Sequence, residues 1–226
     1  RTHQTTSFSG HMAARFIPTV ERESLDLVDR YCARWNTELL AMGAFLARAL
    51  YESELGALGA AWSAGTEDDR TALLDRALHT LRFFSFHESS PATRVHATLE
   101  DRFFACCTRP VISLLSTHGV RSSDSVRLPS AMLADFVREI PVLPPAHLEA
   151  AELFVTHLRA RHMLRDISMD DVFRELATRT LAPPEMVACL KWWLLVAAHP
   201  SYDARLLTRL VHAASVACAA CKEAVL

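Results

Sequence analysis

The fold is decided by the stretch LDLVDRYCARWNTELLAMGAFLARAL, which covers residues 25–50. Its apolar residues recur at alternating spacings of three and four, which is the pattern of a helix with a seven-residue repeat. Thr19 is a suitable N-cap, and Glu21 and Glu23 favour the first turn of a helix. The pattern therefore predicts one long helix that continues to Trp62 and is about 60 Å long. The apolar residues of the repeat, which we call the heptad seam, are Leu25, Val28, Cys32, Trp35, Leu39, Met42, Leu46 and Ala49.

Two partners are compatible with the heptad seam: the downstream helices of the same chain, or a second copy in a coiled coil. Cys32 and Trp35 fit poorly at the tightly packed positions of a two-stranded coiled coil. We therefore expect the seam to be covered within the chain. A homo-oligomer formed through residues 25–49 is the alternative.

The rest of the chain is typical of shorter helices separated by proline and by capping residues. One stretch breaks this pattern, because residues 111–115 and 125–128 flank a turn around Gly119 and together indicate a small β-hairpin. The sequence thus predicts a mainly α fold, an irregular multi-helix bundle with one long N-terminal helix and one small hairpin. The predicted helix starts are Thr66, Ser90–Pro91, Ser130, Pro144–Pro145, Ser168 with Asp171, Pro183–Pro184 and Ser201.

Small residues and glycine at 63–67 mark the best internal boundary. We expect residues 1–64 to form an extended N-terminal segment followed by the long helix. Residues 65–226 are expected to form a helical bundle that contains the hairpin near 111–128.

Composition and charge exclude several classes of partner. Half of the 226 residues are apolar and the net charge is −2, so the chain has a globular composition without a general attraction to nucleic acid or anionic lipid. The longest apolar run, 186–198, contains Lys191 and is shorter than the roughly 20 residues that span a bilayer. No signal peptide is evident and the cysteines lie in apolar runs. We therefore expect an intracellular protein, in the cytoplasm or nucleus, with no membrane or nucleic-acid partner.

No pattern in the sequence identifies a catalytic, cofactor-binding or metal-binding residue. Cys218 and Cys221 have the spacing of a metal-binding pair, but a zinc site needs a second pair of ligands and none is present. The adjacent Cys106 and Cys107 would need a positioned histidine to act as nucleophiles. We interpret the cysteines as core residues and expect no catalytic residue, no cofactor and no metal.

Histidine and tryptophan clusters are the remaining candidates. His79, His87 and His96 are close in sequence but do not share a helical face, so surface or hydrogen-bonded roles are expected. Tryptophan is enriched where proteins bind one another. We expect Trp193 in the core, and because Trp192 points about 100° away, one of this pair should be exposed or lie under another segment.

Four stretches of the sequence carry a resemblance to known proteins. They are FIPTVERESLDLVD at 16–29, WNTELLAMGAFLARALYE at 35–52, DSVRLPSAMLADFVREIPVLP at 124–144 and DDVFRELATRTLAPPEMVACLKWW at 170–193. These stretches resemble one family of very large fungal proteins, which carry an N-terminal ATP-binding domain of the GHKL type, related to heat-shock chaperones and sacsin. The region similar to this chain lies downstream of that domain.

The resemblance implies a non-catalytic scaffold or interaction region of a chaperone-like protein. Its partner would be another protein or the upstream ATPase domain. The family's nucleotide-binding motifs do not occur in this sequence, so no site residue carries over. A stand-alone helical enzyme is the alternative, and it predicts a deep polar pocket with titratable groups of shifted pKa. A nucleic-acid-binding module built from residues 170–178 and 183–198 ranks third, because the second of these segments is too apolar for a recognition helix.

Overall fold

The chain is mainly helical, as predicted, in a computed structural model that describes residues 2–65, 67–106, 111–197, 208, 209, 211–213, 215 and 216. The described helices are α1 (Arg30–Ala64), α2 (Glu67–Phe83), α3 (Arg94–Ala105), α4 (Pro145–Ala150), α5 (Glu152–Ala160), α6 (Met169–Thr178) and α7 (Pro183–Ala197). The described strands are β1 (Ser113–Ser116), β2 (Gly119–Ser122), β3 (Arg127–Leu128) and β4 (Arg165–Asp166).

Two compact units make up the fold. Unit 1 contains residues 1–125 and 144–164, and unit 2 contains residues 126–143 and 165–226. The end of α1 coincides with the stretch 63–67, where the sequence suggested a boundary. The two units are not divided at this stretch, because α1 packs against α2 and α3 inside unit 1.

Helix α1 is the predicted long N-terminal helix, but its predicted start near Thr19 is wrong. The helix begins at Arg30, and the Asp29 side chain is its N-cap, accepting hydrogen bonds from two backbone N–H groups of the first turn at 3.0 and 2.9 Å. Residues 17–26 instead close a turn of their own through backbone hydrogen bonds between its two arms. The Asp26 side chain accepts from the backbone N–H groups of Val28 and Asp29, and this local bonding competes with helix formation before Arg30.

Unit 1 is built around the buried face of α1, which packs on α2, α3 and the β1–β2 hairpin. Tyr51 lies at its centre, with ring centroids 5.6 Å from Phe84, 5.8 Å from Phe103 and 5.7 Å from Phe154. The Tyr51 hydroxyl donates a hydrogen bond of 2.6 Å to the carbonyl of Ser113 in β1. The buried residues of α1 are Asn36, Leu40, Ala44, Ala47, Arg48, Tyr51, Leu55 and Leu58.

The predicted hairpin is present with a shorter connection. Strands β1 and β2 pair antiparallel from Ser113↔Ser122 to Ser116↔Gly119. Gly119 has φ +84°, and a Cβ there would lie 2.8 Å from the Trp62 side chain, so both the turn and the packing on α1 require glycine. The segment predicted as the second strand, 125–128, instead contributes β3, which pairs in parallel with β4 inside unit 2.

Unit 2 packs α6 and α7 against residues 126–143. The capping box predicted from Ser168 and Asp171 is confirmed at the start of α6, and α7 begins at Pro183 as predicted. The helix predicted from Ser130 is absent, since residues 131–136 form hydrogen-bonded turns. The buried core residues of the unit are Leu133, Phe136, Val172, Leu176, Leu181, Cys189, Trp192 and Val196.

None of the helices in the described part of the chain is both long enough and apolar enough to cross a membrane.

Candidate interaction surface

Helix α1 has a second face that the described chain leaves exposed. Positions 31, 35, 38, 42, 45, 49, 53, 56 and 60 are all exposed. At 100° per residue they lie within about 40° of one line along the helix, on the side opposite the buried face. We call this set the α1 stripe, and its residues are Tyr31, Trp35, Glu38, Met42, Phe45, Ala49, Ser53, Gly56 and Ala60.

Large apolar side chains dominate the N-terminal half of the α1 stripe. Tyr31 is 78% exposed, Met42 59%, Phe45 50% and Trp35 49%. Leu46 and Leu50 lie beside the stripe and are also exposed. A single exposed apolar residue is ordinary on a protein surface, whereas a contiguous apolar patch marks an interaction surface.

Most of the heptad seam lies on this exposed side of α1, so the expectation that the seam is covered within the chain is wrong. Leu25 is buried, Cys32 and Leu39 are half-buried, and the remaining five residues of the seam are exposed. A different face of α1, which includes Leu40 and Ala44, packs into unit 1. Its residues also follow spacings of three and four. The sequence pattern did not distinguish these two faces, since both are rich in apolar and small residues.

The N-terminal segment, residues 8–14, runs along one flank of the α1 stripe. Met12 lies against Gly43 so closely that a Cβ at position 43 would overlap its terminal methyl group. Between the segment and α1 runs a groove of about 470 Å³, whose lining includes Leu39, Leu46 and Leu50. The groove widens the apolar surface on one side of the stripe.

Asn36 fixes the chain just after this segment to α1. Its side-chain Oδ1 accepts a hydrogen bond from the N–H of Ile17 at 2.9 Å, and its Nδ2 donates to the carbonyls of Ile17 and Asp26 at 2.7 and 2.9 Å. Trp35 adds one bond, donated by its Nε1 to the carbonyl of Arg15 at 2.8 Å. The stripe tryptophan is therefore held in one orientation.

Asn36→Ala is expected to lower the free energy of unfolding by about 2 kcal/mol, because it removes three hydrogen bonds to backbone groups, of which only the carbonyl of Ile17 keeps another donor. It should also speed tryptic cleavage after Arg15. Urea denaturation and timed proteolysis measure the two effects, with Glu38→Ala on the exposed side of α1 as the control. Equal cleavage rates in the two variants would show that Asn36 does not hold the segment.

The structure describes only part of the cysteine candidates. Cys107, Cys218 and Cys221 lie outside the described residues. The Sγ of Cys106 is 3.5 Å from the carbonyl oxygen of Phe103, which lies three residues earlier in the last turn of α3. Burial raises the pKa of the Cys189 thiol to about 11, which keeps this residue neutral in the core of unit 2.

His79 and His87 line one surface depression of about 450 Å³ together with Asp75 and Arg82, and all four residues are exposed. His96 is not part of its lining. Among the described residues, no group of three or more histidine, cysteine or carboxylate side chains is arranged to hold a metal ion.

The tryptophan pair is placed in the reverse of the expected order. Trp192 is the core residue, with its ring 5.7 Å from that of Phe136. Trp193, which was expected in the core, is half-buried and packs against it. Both residues therefore stabilise unit 2.

Two buried carboxylates of shifted pKa belong to the fold itself. In unit 1, Glu100 accepts from His157 at 2.8 Å and from Arg161 at 2.7 Å, joining α3 to α5. Burial alone would raise the pKa of Glu100, but these two partners outweigh it and lower the pKa. In unit 2, Asp171 accepts from the guanidinium of Arg127 at 2.7 and 3.2 Å. Burial opposes ionisation there too, yet the hydrogen bonds from Arg127 and Ser168 lower the pKa of Asp171 to about 2.

Asp171 should make the stability of the fold depend on pH. Its pKa falls from 3.8 in the unfolded chain to about 2 in the folded chain, so its contribution is present above pH 3.8 and is lost as the pH falls through 2. The shift corresponds to about 2 kcal/mol. Urea denaturation between pH 5 and pH 2 should show a loss that is about 2 kcal/mol larger in the native chain than in Asp171→Asn, because Glu100, whose pKa is also lowered, contributes equally in both chains. Parallel profiles for the two chains would contradict the assignment.

The described geometry defines a mainly α protein with one long helix that packs on one face and exposes an apolar stripe on the other. The chain belongs to the family described as a protein of unknown function (DUF3684), whose family model matches residues 1–224. Searches of curated proteins and of solved structures found no match.

Proposed function

We propose that this chain is a non-catalytic helical interaction region that binds a protein partner through the α1 stripe. The observation that carries the proposal is the exposure of four large apolar residues, Tyr31, Trp35, Met42 and Phe45, on one line of a helix whose opposite face is fully packed. Aromatic and methionine side chains are enriched in the cores of protein interfaces. A helix held rigidly on its other face binds with little loss of conformational entropy.

The resemblance to the region downstream of a GHKL ATPase domain supports a chaperone-like setting for this binding. In such proteins the region after the nucleotide-binding domain would couple the nucleotide state to partner binding, an argument by analogy between folds. The upstream ATPase domain and a separate protein are then the two candidate partners of the stripe.

The two competing functions make different demands on the surface. An enzyme would place titratable groups of shifted pKa in an enclosed polar pocket. Glu100 and Asp171 instead bind arginine, histidine and serine side chains that join helices and turns of the fold. A nucleic-acid module would need a polar recognition helix, whereas α7 exposes Val187, Leu194 and Leu195.

A photo-crosslinking amino acid at Phe45 tests the proposal in cells that express the full-length protein. The probe is expected to form a covalent adduct with a protein, which mass spectrometry identifies. The same probe at Ala160, an exposed position on α5, should give no such adduct. An absence of adducts at Phe45, or equal adducts at both positions, would contradict binding through the stripe.

A further inference from the structure

The order of residue sizes along the α1 stripe suggests what covers it, an inference that rests on the proposed function. The large residues occupy the N-terminal half of the stripe, and Ala49, Ser53, Gly56 and Ala60 occupy the C-terminal half. We propose that a second copy of this chain is the occupant, and that the two α1 helices pair antiparallel about a two-fold axis between positions 45 and 46.

Antiparallel pairing sets the large half of each stripe against the small half of the other. A self-complementary patch of this kind is what a two-fold interface requires. Small residues allow the two helix backbones to approach to about 8–10 Å, while the facing large residues fill the space between them. The residues that lie opposite each other are Tyr31 and Ala60, Trp35 and Gly56, and Met42 and Ala49, while Phe45 lies beside its own copy at the two-fold axis.

Charges on and beside the stripe favour the same orientation. Glu38 is the only carboxylate in the stripe, and antiparallel pairing sets it opposite Ser53, whereas parallel pairing would bring two Glu38 side chains together. Arg34 and Glu52 are about five helical turns apart and therefore share one flank of α1. Glu52 binds Arg48 of its own chain through Oε1, and its side chain stays 34% exposed. The two-fold axis brings this flank of both copies together, with Arg34 of one copy offset by about 7–8 Å along the helix axis from Glu52 of the other.

The exposed apolar area is large enough for a dimer. Aromatic side chains present about 150–250 Å² each when fully accessible. Half to three quarters of that area is exposed at Tyr31, Trp35 and Phe45, and similar fractions are exposed at Met42, Leu46 and Leu50. The six side chains together offer roughly 700 Å², close to the about 800 Å² per partner of a standard stable interface.

Sedimentation velocity over a range of concentrations tests the pairing in the full chain. The native chain is expected to dimerise, and Phe45→Glu and Phe45→Lys are each expected to weaken the dimer at least tenfold. An equimolar mixture of the two variants should restore it, because position 45 lies within about one residue of its own copy across the axis. Trp35→Glu and Trp35→Lys are the matched control, since the two copies of position 35 are about 30 Å apart in this arrangement. Mixing the Trp35 variants should restore nothing.

Each other outcome overturns a defined part of the inference. Rescue at position 35 as well as at position 45 would show parallel pairing. A native chain that stays monomeric at every concentration would exclude the second copy as occupant. The Phe45 photo-crosslinking experiment would then show whether the α1 stripe binds any other protein. An adduct with a different protein leaves the proposed function standing, whereas no adduct removes both.

Discussion

Tyr51→Ala is expected to lower the free energy of unfolding by about 4 kcal/mol. Tyr51 is fully buried, its ring contacts those of Phe84, Phe103 and Phe154, and its hydroxyl reaches the carbonyl of Ser113. Alanine would leave a cavity where α1, α3 and α5 meet, and would also leave that carbonyl without its donor. Urea denaturation followed by circular dichroism measures the change.

Tyr51→Phe separates the two contributions. It keeps the ring and removes only the hydroxyl, so a loss of about 1–2 kcal/mol is expected. Burial raises the pKa of Tyr51 well above its ordinary value, so the hydroxyl remains a neutral donor at any pH where the protein is studied. Equal losses in the alanine and phenylalanine variants would show that the aromatic contacts of Tyr51 do not hold unit 1 together.

Arg48→Met is expected to lower the free energy of unfolding by about 3–5 kcal/mol, because it removes one partner of a buried charged network. The Arg48 guanidinium is 4% exposed and donates to the carbonyls of Phe103 and Val111 and to the Glu52 carboxylate at 2.8 Å. Methionine fills a similar volume but donates no hydrogen bond. The buried carbonyls then lose their partner, and α1 loses its link to the end of α3.

Arg34→Met is the matched control on the same helix, because Arg34 is exposed. Its expected effect is within about 0.5 kcal/mol. Chemical denaturation of both variants measures the difference. A small loss at Arg48, comparable to that at Arg34, would show that water replaces the guanidinium and that the network contributes little.

Arg48 and Asn36 show what the sequence could not reveal about the core of unit 1. Arg48 is a charged residue within an amphipathic helix, and sequence patterns assign such residues to the solvent side. Its burial depends on carbonyls of residues 103 and 111, which are distant in sequence and come close only in the folded chain. The same is true of Asn36, whose three backbone partners lie in residues 17–26.

Local signals were reliable where the interaction is itself local. The capping box of Ser168 and Asp171 and the helix start at Pro183 depend on neighbouring residues only, and both were predicted correctly. The start of α1 was misplaced because residues 17–26 form a turn and Asp26 binds the N–H groups of Val28 and Asp29, a competition that helix periodicity does not record. The strand at 127–128 was assigned to the hairpin, because its partner, β4, lies almost forty residues downstream.

The interaction surface was visible in the sequence, but with the wrong partner. The heptad seam marked the correct helix, and Trp35 and Met42 belong both to the seam and to the α1 stripe. What the sequence lacked was the choice between faces, which depends on how α3 and the β1–β2 hairpin pack on the buried face of α1. Once that choice is made, the heptad seam becomes a surface rather than a core.

Unfolding free energies of Phe45→Ala and Leu40→Ala, measured in dilute protein, test the two-faced helix most directly. Leu40 is 2% exposed on the packed face and Phe45 is 50% exposed on the stripe. We predict a loss of about 2–5 kcal/mol for Leu40→Ala and less than about 0.5 kcal/mol for Phe45→Ala. A loss at Phe45 as large as that at Leu40 would mean that the stripe is covered within the chain and that α1 does not offer it as a binding surface.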